Sequence, residues 1–365
     1  MKMAMKWGFV FYVQFMSLAI GCEDLDLGSG VLDSSIELCS GQTVTCGVID
    51  GSKFEYAIKG SYVVDVSIEN CIIKNTRIDL KFTKNFKFIN SSGIDAPHTF
   101  INGNYNEDTH IVGSRFLRSG IAENAAHVVL NNQNGAYIEN VVFDQSGGTS
   151  LMLRGTDIDT GNLVVNNVDF FDCGMTCFEA FIPAFAKEDL YLSEVTLTNI
   201  NIRGYLSSIG AAYHSAISIG STQDHSTSNN VFLKNVKIDF KGVREKWDPV
   251  TNDLIAPNKY KRYFNKAGGS EAIQILRVKN YKLENITIKR CKRVGVLIYK
   301  SGKGSVEIES DSCGYERIDG ESTGTAHALF VVESDEVSIL NLNVKNHAPG
   351  VDDKPKVINI MTSDY

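Results

Sequence analysis

The chain repeats itself, and this limits its fold more than any other property. The stretch from Thr149 to Gly174 carries a short strand in which Leu151 and Leu153 alternate with Met152 and Arg154. A polar turn from Gly155 to Gly161 follows, then a second strand from Leu163 to Phe170, and a turn closed by Cys173 and Gly174. Alternation of this kind sends successive side chains to opposite faces of a strand. The second strand can be laid over nine other segments, among them VSIEN at 66–70, FKFIN at 86–90, AYIEN at 136–140, VFLKN at 231–235 and VSILN at 337–341. With Asn70, Asn90, Gly113, Asn140, Asn167, Glu194, Asn235, Asn285, Ser310 and Asn341 as markers, most steps run from 20 to 31 residues and two stretch to 41 and 50. A unit this short cannot bury an apolar face alone, so the pattern predicts a solenoid of about ten stacked rungs. Asn-Gly pairs, which would mark the tight hairpins of a meander or sandwich, occur at 102 and 134.

The rung pattern, together with the opening SSIELCSGQTVTCGVIDG at 34–51, resembles the right-handed parallel β-helix proteins of the pectin-lyase-like group over roughly Ile36 to Ile360. That resemblance implies an all-β chain, a single-stranded right-handed parallel β-helix. The cap and first turn would occupy 22–61 and the coil 62–365, with loops inserted near 205–230 and 243–270. Inside the coil, Val164, Val168, Ile286, Ile288 and Leu342 are expected to stack. The group includes pectate lyases, polygalacturonases, alginate lyases and epimerases, and phage tailspikes, so the resemblance also implies a polysaccharide partner. One such architecture hosts many activities, and activity must be argued from the site. The Asn-Thr-Asp, Gly-His-Gly and Arg-x-Pro-x-x-Arg motifs of the group's enzymes are absent. Asp95-Ala-Pro-His98 is similar to an epimerase Asp-Pro-His-Asp but carries an extra Ala and ends in Thr99.

Residues 1–21 read as a secretory leader. Lys2 and Lys6 precede an apolar run from Trp7 to Ile20 that is too short to span a bilayer. The LAIGC run also fits, less well, a lipoprotein signal that would put a lipid anchor on Cys22. Export would place the eight cysteines in an oxidising compartment, where they pair. Cys39 with Cys46, Cys173 with Cys177, and Cys291 with Cys313 are the expected bridges, with Cys71 an equally plain buried thiol. Losing Lys2 and Lys6 with the leader takes the net charge from −7 to about −9, which argues against a nucleic-acid partner.

The first strands of the rungs align as AHVVLNN, TSLMLRG, TCFEAFI, HSAISIG, EAIQILR, VGVLIYK and HALFVVE. With Val128, Leu151, Phe178, Ile217, Ile273, Val296 and Leu329 inward, the outward set includes His127, Asn131, Arg154, Glu179, Gln274 and Tyr299. Cleaving a uronic-acid chain by β-elimination needs a cation against the carboxylate, a base for the sugar C5 proton and an acid for the leaving oxygen. Arg154 suits the first role, His127 or His214 the second, and Tyr299 or Tyr213 the third, with Glu179 beside them. Asn131 and Gln274 would line the same wall. In the second inserted loop, Trp247, Tyr260 and Tyr263 suit sugar stacking, and Lys259 and Arg262 suit carboxylates or sulfates. Asp248, Asn252 and Asp253 there would suit calcium, the one metal the sequence suggests. Two other readings stay open: a glycoside hydrolase built on Asp157 and Glu179, and a non-catalytic adhesin or surface protein whose wall only binds. In a further reading, Arg154 and Glu179 form a plain exposed ion pair.

Overall fold

Among the described residues, strands one turn apart pair in parallel from one end of the coil to the other. A computed structural model describes residues 22–119, 125–205, 215–223, 227–240, 271–291, 294–313, 327–347 and 358–361. Among the described residues every element is a strand, and the strands form sheets of twelve and eighteen strands, all pairings parallel. The chain is a right-handed parallel β-helix. In the twelve-stranded sheet, ten strands precede the ten sequence markers. The other two, Ile36–Glu37 and Ile358–Met361, lie at the ends of the coil.

The long strands of the larger sheet show why the repeat has the form it does. In Gly161–Cys173, Leu163 and Val165 face inward, Asn167 turns through a left-handed φ of 53°, and Val168 and Phe170 then face inward. The bend moves the alternation by one residue. Asn140, Asn199, Asn235 and Asn285 take the same conformation at φ 54° or 55° on other rungs. Asparagine tolerates this region better than most residues, and here the amides also bond one another. Asn167 Nδ2 donates to Asn140 Oδ1 at 2.6 Å, Asn235 Nδ2 to Asn199 Oδ1 at 2.9 Å and Asn285 Nδ2 to Asn235 Oδ1 at 2.8 Å.

This shift corrects one expectation. Val164 is 37% exposed, because counting in twos back from Val168 crosses the Asn167 bend. Val168, Ile286 and Ile288 are buried as expected, and Leu342 packs partly buried against the core. At the centre, Phe116, Phe143 and Phe170 occupy one register position on successive rungs and stack with ring centroids 5.1 Å apart.

All eight cysteines are paired: Cys22–Cys39, Cys46–Cys71, Cys173–Cys177 and Cys291–Cys313. The last two match the sequence reading. Cys39 and Cys46 do not join, and Cys71 is not free. In a coil the natural neighbour lies one turn away: Cys46 and Cys71 precede the paired residues Val48 and Ile72 and bring their Cα atoms to 4.7 Å. Cys22 spends its sulfur on Cys39, which leaves no thiol there for a lipid anchor. Four disulfides are the usage of an exported protein. Among the described residues no helix is long and apolar enough to cross a membrane.

Candidate functional site

The outward face of the twelve-stranded sheet carries the site. Strands Val128–Asn131, Leu151–Arg154 and Phe178–Ile182 lie side by side, with Asn131 opposite Arg154, Met152 opposite Glu179, and Arg154 opposite Phe181. Arg154 and Glu179 are thus diagonal neighbours. Inward partners Leu151, Leu153, Phe178 and Ala180 are fully buried and hold both strands rigidly. The next place in the Arg154 column after Phe181 is Gly220. Its φ of +129° and the 1.8 Å that would separate a Cβ from the Leu276 carbonyl oxygen exclude any side chain there.

Glu179 has a carboxyl with an unusual environment. Burial raises its pKa, against the opposing pull of the Arg154 charge and a 3.4 Å hydrogen bond from the Thr149 hydroxyl. Arg154 is close enough to act on that charge, yet no salt bridge joins the two, so the plain ion-pair reading fails. The Arg154 Nε is buried without a hydrogen-bond partner, and its guanidinium carbon lies 6.0 Å from the centre of the Phe185 ring. Phe185 is 75% exposed.

Asp157, in the turn after Arg154, is the opposite case. It accepts hydrogen bonds from the Tyr105 hydroxyl at 2.7 Å and the Thr156 hydroxyl at 3.1 Å, and pairs with Lys187 Nζ at 3.2 Å. The Tyr105 bond, then Lys187, lower its pKa. Asn132 Oδ1 fixes the turn by accepting from the amides of Thr156 and Asp157, each at 2.9 Å. Burial moves one carboxyl's pKa up, and hydrogen-bond donors move the other's down. Such divergence is how a pair of carboxylates divides acid and base roles.

Other residues proposed from sequence are not brought together. His127 is fully buried between Phe116 and Phe143, with ring centroids 6.2 and 5.9 Å away. It precedes its strand at a corner, where Phe100, Ser150, Cys177 and Ala216 also turn inward, so alternation does not extend to it. Burial lowers its pKa to about 3, and it cannot serve as a surface base. Tyr299 occupies the Arg154 column four strands further on, roughly 19 Å at the usual strand spacing. Its ring lies under Arg277, whose guanidinium carbon is 5.2 Å from the centroid. Gln274 stands two strands beyond Glu179 and donates to Glu271 at 2.7 Å. Tyr213, His214, Trp247, Lys259, Tyr260, Arg262 and Tyr263 lie outside the described residues, as do Asp248, Asn252 and Asp253. Sequence reasoning missed Phe185, Lys187, Thr149 and Tyr105. A Phe in the polar-flanked PAFAKEDL segment at 183–190 was the signal available for the first.

No protein-family model and no curated protein sequence matches the chain. Among solved structures, the catalytic domain of a GH87 alpha-1,3-glucanase in complex with nigerose aligns over 93% of this chain at 12% identity and a TM-score of 0.48. The alignment spans 63% of that domain's length. Tailspike protein 3 of bacteriophage CBA120 aligns over 93% of this chain and 52% of its own, at 9% identity and a TM-score of 0.48. The tailspike receptor binding domain of siphovirus 9NA aligns over 94% of this chain and 76% of its own, at 8% identity and a TM-score of 0.44.

Proposed function

We propose that this β-helix acts on an acidic polysaccharide at the wall bearing Arg154 and Glu179. The observation that carries the reading is the pair itself: an arginine whose buried Nε lacks a partner, beside a carboxyl whose pKa burial raises. A sugar carboxylate answers the first, and a glycosidic oxygen that must leave with a proton answers the second. The exposed Phe185 ring supports an apolar sugar face, and Asn131 supplies amide groups on the neighbouring strand.

In a lyase reaction a base removes the C5 proton, the C4–O bond breaks as the C4–C5 double bond forms, and Glu179 protonates the departing oxygen. Arg154 offsets the charge that grows on the carboxylate as the proton leaves. With His127 in the core, His214 is the base carried forward from the sequence. Hydrolysis is the second reading, favoured by the opposite shifts of Glu179 and Asp157: Glu179 would protonate the leaving oxygen while ionised Asp157 activates water or attacks the sugar.

The test incubates the protein with polygalacturonate, alginate and hyaluronan, following ultraviolet absorbance of unsaturated products and, separately, reducing ends. Absorbance with new ends means elimination, and new ends alone mean hydrolysis. Arg154→Ala should cut kcat/KM by about a hundredfold or more without loss of fold, because its charge is used in the transition state. Binding without product in the wild type leaves a carbohydrate-binding wall. Neither binding nor product with any of these polymers overturns the proposal.

A further inference from the structure

Three aromatic rings stack along one corner of the coil. Tyr62, Phe82 and Tyr105 directly follow the strands Tyr56–Ser61, Arg77–Lys81 and Ile101–Asn104. Their amides continue the ladder, Tyr62 N to Lys81 O and Phe82 N to Asn104 O. The ring centroids are 4.8 and 5.0 Å apart and each pair of planes is within 6° of parallel. Tyr62 is 59% exposed and Phe82 40%.

The backbone beneath them is unusual. Tyr62, Phe82 and Tyr105 have φ of 58°, 52° and 55°, a region in which bulky side chains are strained. On the next rung the same corner holds Asn132 at φ 52°, bonded through its amide to Arg154 O. The left-handed corner thus runs over four successive rungs, and on the fourth an asparagine meets it. An aromatic at three successive rungs is more than the turn demands, and an outlier of this kind points to use of the rings.

The ladder is continuous with the candidate site. The Tyr105 hydroxyl donates to Asp157, Asp157 pairs with Lys187, and Phe185, two residues before Lys187, lies against Arg154. Lys81 and Lys84 flank Phe82 with side chains 52% and 57% exposed, each shared with a carboxylate, Asp79 and Glu107. A band one ring wide with ammonium groups at its edge matches a uronic-acid chain, which offers apolar C–H faces and regularly spaced carboxylates.

Resting on the polysaccharide reading above, we infer that the Tyr62–Phe82–Tyr105 ladder is a distal subsite that holds the acidic glycan beyond the unit bound at Arg154. The Tyr62→Asn/Phe82→Asn double variant tests it, because asparagine suits the left-handed corner and should leave the melting temperature close to that of the wild type. Long polygalacturonate or alginate should then bind about tenfold more weakly, with KM raised and kcat unchanged, while turnover of their trimers stays at the wild-type value. Unaltered affinity and KM for the long polymer overturn the subsite and leave the activity standing. A wild type that neither binds nor cleaves any polymer overturns the functional reading beneath it. Should the double variant misfold, hydroxyl-radical footprinting of the wild-type protein decides: bound polymer must protect Tyr62 and Phe82 from oxidation, and rings that react equally with and without polymer refute the inference.

Discussion

Glu179 carries a cost that its position explains. Its pKa is raised by burial, so the folded chain holds a proton that the unfolded chain has already lost above the ordinary carboxyl value. In that window the folded state binds more protons, and stability falls as pH rises from the ordinary value through the raised one. Glu179→Gln removes the penalty. Denaturant unfolding at pH 8 should show the variant to be more stable than the wild type, while its turnover is lost. A variant less stable at pH 8 would mean that the carboxylate is well solvated. His127 gives the converse slope on the acid side. Its pKa falls from 6.5 to about 3, so protons bind the unfolded chain first as pH drops. The stability it contributes is complete above pH 6.5 and declines below, by roughly 3 kcal/mol at pH 4. His127→Phe, with Phe100 at the same corner of the preceding rung, should flatten this acid-side loss in unfolding titrations between pH 6.5 and 4.

At the scale of a strand, the sequence shows which residues face inward wherever the chain runs straight. Val128, Leu151, Phe178, Ile217, Ile273, Val296 and Leu329 are all fully buried, because they occupy one register column of the sheet that faces into the coil. It misleads at corners and bends, where one left-handed residue moves the phase: His127 turns in at a corner, and Val164 turns out before Asn167. The Arg154–Glu179 pair was legible because it lies on straight strands. Phe185 and Lys187 were not, since they reach the site from a loop whose path no periodicity sets. A paired substitution makes the distinction measurable. Ile288→Asp places a charge in the closed core and should cost several kcal/mol, whereas Val164→Asp points to solvent and should stay within about 0.5 kcal/mol. Equal losses from the two would contradict the phase shift at Asn167.

Across the whole molecule, stability should be distributed rung by rung, because each turn of a solenoid touches only its neighbours. The disulfides then act where they sit. Cys46–Cys71 closes 25 residues and ties two successive turns near the start of the coil, whereas Cys173–Cys177 closes only 4 within one corner. By chain entropy the first is worth about 3.5 kcal/mol and the second about 2. At the other end no bridge follows Cys313, and the strand Val337–Lys345 leaves Leu340 64% exposed. Replacing Cys46 and Cys71 by Ala should therefore lower the unfolding midpoint more than replacing Cys173 and Cys177. Amide exchange should locate the loss: protection should drop across Val44 to Ile73 and hold from Ile286 to Ile308, which Cys291–Cys313 still staples. A drop of equal size along the entire coil would mean that the β-helix unfolds as one cooperative unit, and the rung-wise account would have to be abandoned.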